Sequence, residues 1–265
     1  DANPEQLNEQ KYITGLAALN AKKTADASKL FQDLYKANYD KAAIYEALYK
    51  IESEKTSAAD AYQYLEAGRK KYPDDVSLLF AEINHFLKLN KLDVLITKLE
   101  MAIEKEPDNM SLYATLGNVF DNLYQKESGD GNEAKADEYF NKALERYNQA
   151  LAKDPKYFDA IYSIGALYYN KAAAMTKQLV ELEGDYSKDG LKKYEDMKQK
   201  VFSQFDEALP FFKKAEKLNP NDANTLIALK EIFARKDDLA TSNEFKTRLE
   251  KVQAGGKNDA SYFNE

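Results

Sequence analysis

The 265 residues carry 38 Lys+Arg against 45 Asp+Glu with the signs interspersed, and only ten Gly and six Pro, which suits long solvated helices and an all-α class. The acidic balance, without a basic block, argues against a nucleic-acid partner. With no Cys and one His, His85, the inventory excludes thiol nucleophiles, disulfides, Cys/His zinc sites and His-based triads, and no apolar run reaches the roughly 20 residues of a membrane span.

In chain order, the apolar rhythm predicts helix pairs at 5–20 with 24–37, 41–54 with 57–71, and 75–89 with 91–105. Three more follow at 109–126 with 132–153, 157–183 with 189–218, and 221–235 with 238–252. Residues 1–252 would then form one helical-repeat domain. From Gly255-Gly256 onward no helical period remains, so 253–265 reads as a flexible tail. Pro210, inside the tenth segment, should kink or interrupt that helix near Asp206.

The punctuation is periodic. Pro73 and Pro107 lie in polar turns 34 residues apart, and the intervals to Pro155 and Pro220 exceed 34 by 14 and by 31. Twelve residues before each proline stand Ala61, Leu95, Ala143 and Ala208; eight or nine before, Tyr64, Leu99, Tyr147 and Phe211; five before, Gly68, Ala102, Ala150 and Ala215. Six residues after come Leu79, Tyr113, Ile161 and Leu226; ten after, Ile83, Gly117, Gly165 and Lys230; thirteen after, Phe86, Phe120, Tyr168 and Phe233. These spacings share one helical face. The small residues let two backbones approach, and the large ones fill the space between hairpins. An earlier copy is visible with Tyr39 in the proline's place.

This 34-residue pattern, with Leu116-Gly117 and Ile164-Gly165 in the helix after the proline, resembles the tetratricopeptide repeat over about residues 5–252. The resemblance implies a right-handed solenoid of about six antiparallel helix pairs, whose concave groove, lined by the first helix of each pair, holds a protein or peptide. Carrying over the groove positions gives Phe80, Asn84 and Leu87, then Ala114, Asn118 and Asp121, then Tyr162, Ala166 and Tyr169. The binding set expected is Phe80, Asn84, Asn118, Asp121, Tyr162 and Tyr169. Stacked amides at Asn84 and Asn118 could hold the N–H and C=O of an extended backbone. The family's carboxylate clamp is not carried: of Phe80, Asn84, Thr115, Tyr162 and Ala166 at its positions, only Asn84 matches.

The two insertions lengthen the fourth and fifth hairpins, and the fifth should project about 20 Å at 1.5 Å per residue. Glu82-Ile-Asn-His85 has the Glu-x-x-His spacing of di-iron bundles but no second copy, so His85 reads as an interface residue. The run from Asp185 to Asp196 partly matches a calcium loop, with a capped turn as the plainer reading. No catalytic site, metal or cofactor is expected, and the chain reads as a non-enzymatic scaffold. The 19 tyrosines and the start at Asp1 leave a second reading, an exported glycan-binding or nutrient-uptake accessory protein of a bacterial envelope.

Overall fold

In the computed structural model, which describes residues 3–263, all regular structure is α-helical, and the twelve helices pair in sequence. Two compact units divide the chain, Asp1–Pro107 and Asp108–Glu265.

The first unit holds α1 (Pro4–Asn20), α2 (Thr24–Lys36), α3 (Ala43–Lys55), α4 (Ala58–Lys71), α5 (Val76–Lys88) and α6 (Leu92–Lys105). Side-chain oxygens start several of these helices: Ser57 accepts from the Asp60 amide and Asp75 from that of Leu78, each satisfying a donor of the first turn. Asn38 and Asn90 occupy the left-handed region between helices, a conformation asparagine tolerates. The core follows the predicted offsets, with Ala27, Phe31, Leu34, Tyr45 and Ala61 buried along α2 to α4. Gly68 is needed where α4 crosses α3, because a Cβ there would sit 2.8 Å from that of Tyr45.

The second unit holds α7 (Met110–Gly129), α8 (Glu133–Lys153), α9 (Phe158–Glu181), α10 (Lys188–Leu218), α11 (Ala223–Arg235) and α12 (Leu239–Gln253). Both insertions are helical extensions, as their apolar rhythm implies. At 31 residues, α10 spans about 46 Å. It runs unbroken through Pro210, which is exposed and lacks the N–H that would bond the Asp206 carbonyl. The extended α9 lies beside the fourth hairpin: Lys171 pairs with Asp137 at 3.2 Å and stands 4.3 Å from the Phe140 ring centre. Farther out, the tip exposes Val180, Tyr186 and Leu191.

One register assignment needs correction. The fully buried residues eight before Pro73 and Pro220 are Leu65 and Phe212, whereas their neighbours Tyr64 and Phe211 are only half-buried. A constant offset of eight, as at Leu99 and Tyr147, selects the buried residue before all four prolines.

Candidate ligand-binding grooves

In the first unit, α3 and α5 enclose a cavity of about 580 Å³. Glu46, Tyr49, Lys50, Ser53 and Glu54 line it from α3, and Ser77, Phe80, Ala81, Asn84, Leu87 and Lys88 from α5. Buried Tyr49 and half-buried Phe80 give it an aromatic floor, while Lys50 pairs with Glu46 at 2.6 Å along the rim. Asn84 is exposed, and its amide makes no hydrogen bond among the described residues. Two of the expected binding residues, Phe80 and Asn84, therefore share one cavity.

That floor is anchored from below. The Tyr49 hydroxyl meets His85 Nδ1 at 3.0 Å, and the imidazole stacks on Tyr62 with ring centres 4.5 Å apart. Burial holds the His85 pKa below its ordinary 6.5 and pushes the Tyr49 phenol up. One turn back, Glu82 is 2% exposed and carries three donors: Tyr62 Oη at 3.0 Å, Arg69 Nε at 3.1 Å and Lys98 Nζ at 2.9 Å. Arg69 also donates to the Pro73 and Asp75 carbonyls, tying the turn between α4 and α5 to the same carboxylate. The Glu82–His85 pair is thus consumed by packing, as the reading of His85 as an interface residue implies.

In the second unit, a smaller cavity of about 310 Å³ is lined by Ser111, Ala114, Thr115 and Asn118 of α7 with Tyr157, Asp159, Tyr162 and Ser163 at the start of α9. Asn118 and Tyr162 meet there, and Asp121 and Tyr169 are not among its lining residues. Asn118 differs from its equivalent Asn84: its Oδ1 accepts from the Tyr147 hydroxyl at 2.7 Å and from Ser163 Oγ at 3.4 Å. Asp121 accepts from Gln125 Nε2 at 3.0 Å, and desolvation raises its carboxyl above the usual range. Tyr162 and Tyr169 both pack against the core of α10 and α11, meeting Phe212 edge-on, and Tyr162 lies parallel to Phe158.

Sequence reasoning missed Glu46, Lys50 and Ser53, although the signal was present. They stand seven, eleven and fourteen residues past Tyr39, the offsets that gave Phe80, Asn84 and Leu87 from Pro73. At the Asp185 turn, Asp185 Oδ1 accepts from the Ser187 amide, and Ser187 Oγ caps α10 through the Gly190 amide, both at 3.0 Å. Among the described residues no cluster of three or more His, Cys, Asp or Glu is placed to hold a metal, and no helix is long and apolar enough to cross a membrane.

Residues 131–171 match the family model described as TPR repeat. No curated protein matches the chain. Among solved structures, the one titled MamA RS-1 ArsTM double mutant is 17% identical with a TM-score of 0.57, covering 82% of this chain and 96% of its own. That titled Crystal structure of MamA protein is 16% identical with a TM-score of 0.56, covering 82% and 94%. A TPR repeats protein from Bacteroides fragilis NCTC 9343 is 22% identical over 86% of this chain and 98% of its own, with a TM-score of 0.46. At these identities the likeness to the two MamA structures is one of fold, and with the repeat match it describes an all-α stack of paired helices of the tetratricopeptide-repeat type.

Proposed function

We propose that this tetratricopeptide-repeat chain is a non-enzymatic scaffold that captures an extended peptide segment of a partner protein, with the α3–α5 cavity of the first unit as the principal site. The repeat fold generally mediates protein–protein interaction. What supports this site over the second cavity is one contrast: Asn84 offers an uncommitted amide above an aromatic floor, whereas Asn118 spends its carbonyl on Tyr147. A side-chain amide in that setting can accept from one backbone N–H and donate to the neighbouring C=O. Phe80 and Leu87 supply apolar surface for alternate side chains. The mixed rim of Glu46, Lys50, Glu54 and Lys88 favours a ligand without strong net charge.

Selection of a random peptide library on the full chain tests this reading. Enriched peptides should lose at least about tenfold in affinity for a Phe80→Ala/Asn84→Ala variant of unchanged helicity. Enriched peptides that bind this variant as they bind the parent would overturn the assignment.

A further inference from the structure

The segment after α12 docks against side chains of the second unit. Gly255, at φ 84°, ends α12 with its amide on the Val252 carbonyl, and the chain then turns back along the second unit. Asn258 is 7% exposed. Its backbone N–H donates to Asn221 Oδ1 at 2.7 Å, and Asn221 Nδ2 donates to the Asn258 carbonyl at 3.4 Å, so one amide side chain reads both polar groups of one residue. The Asn258 side chain in turn donates to the Pro220 carbonyl at 2.8 Å. Farther on, Glu216, with no exposed surface, accepts from the Tyr262 amide at 2.8 Å and from the Ser261 hydroxyl. Arg248 bridges the two, donating to Glu216 Oε1 at 3.0 Å and to the Ala260 carbonyl. Phe263 completes the contact against Phe245 and Phe233, with Lys213 Nζ 5.1 Å from its ring centre.

We infer that the face made by Glu216, Asn221, Phe233, Phe245 and Arg248 is a peptide-binding site, occupied in this structure by the chain's own residues Asn258–Phe263. Helix-on-helix packing would need only an apolar seam. Here side chains of the folded unit take the backbone groups of Asn258, Ala260 and Tyr262 individually, the chemistry of peptide recognition. The ligand class follows: a carboxamide residue, a small hydroxyl residue three positions later and an aromatic two beyond that, in a bent conformation closed by the Ser261–Phe263 turn. Tethering places the segment at an effective concentration of the order of millimolar, which fills a site of modest intrinsic affinity and holds free peptides off.

The full chain tests this with a fluorescent peptide of residues 257–263 as probe. An Asn258→Ala/Phe263→Ala variant empties the site while leaving the receptor face intact. It should bind the probe at least tenfold more tightly than the parent does, and adding Asn221→Ala should remove the gain. Amide hydrogen exchange on the parent is the second arm: the Asn258 and Tyr262 amides should be protected, and lose protection in the tail variant. Equal probe binding by parent and tail variant, binding by neither, or a freely exchanging Tyr262 amide in the parent would each overturn the inference.

Discussion

Ten residues past their prolines, the third hairpin has Ile83 and the fourth has Gly117; on the returning helices, the equivalent positions carry Leu99 and Tyr147. One position earlier the contrast is sharper, with Glu82 in α5 and Leu116 in α7, both buried. The fourth hairpin is closed by an aromatic ring on a bare backbone: a Cβ at Gly117 would lie 2.5 Å from Tyr147 Cε1. The third uses two medium-sized aliphatic residues and a carboxylate that gathers Tyr62, Arg69 and Lys98 from the flanking helices. The repeat therefore constrains the summed volume across a helix pair more than the residue at either position, and a polar centre is admissible where every charge has a partner.

The largest effect should come from breaking the polar centre. Arg69→Ala strips Glu82 of one buried cation and the α4–α5 turn of its carbonyl contacts, and should cost about 3 kcal/mol in denaturant unfolding. Next, Gly117→Ala forces a methyl group into the Tyr147 ring and should cost about 2 kcal/mol, even after the gain in helix propensity. Combining Gly117→Ile with Tyr147→Leu installs the third hairpin's pairing in the fourth. The pair should be less destabilising than the sum of its two single changes by about 1 kcal/mol or more, and strict additivity would refute the volume argument.

The single histidine offers a pH test. Folding depresses the His85 pKa below 6.5, so above that pH both states are neutral and its environment is undisturbed. As the pH falls below 6.5 the unfolded chain takes up a proton that the buried imidazole does not, and stability declines toward the folded-state pKa. Thermal melts from pH 7.5 to 5.0 should show this decline, and His85→Gln should remove the part due to this residue. The smallest effect is expected at Gly129, the last residue of α7, where a Cβ meets nothing within 4 Å; Gly129→Ala should change stability by no more than about 1 kcal/mol, in the favourable direction.

Much of the architecture was readable in the sequence because proline turns and small–large–small spacing are local signals. All twelve helices lie within a few residues of their expected positions. At Tyr64-Leu65 and Phe211-Phe212 two large residues stand side by side, and only the constant offset of eight from the proline distinguishes the buried Leu65 and Phe212. The role of Glu82 was illegible because its three partners come from other helices. The contacts of Asn258 and Phe263 were illegible for the same reason: they reach back to Asn221, Phe233 and Phe245 and leave no periodic trace. Of the expected binding positions, the offset brings Phe80 and Asn84 to one cavity. What the offset did not show is that Asn118 already serves Tyr147.

The most direct measurement of the proposed peptide capture is amide chemical-shift mapping of the full chain titrated with a library-selected peptide. The account predicts perturbations concentrated at Glu46–Glu54 and Ser77–Lys88 and saturating together. Perturbations centred instead on Asn118 and Tyr162, or spread without a focus on α3 and α5, would contradict it.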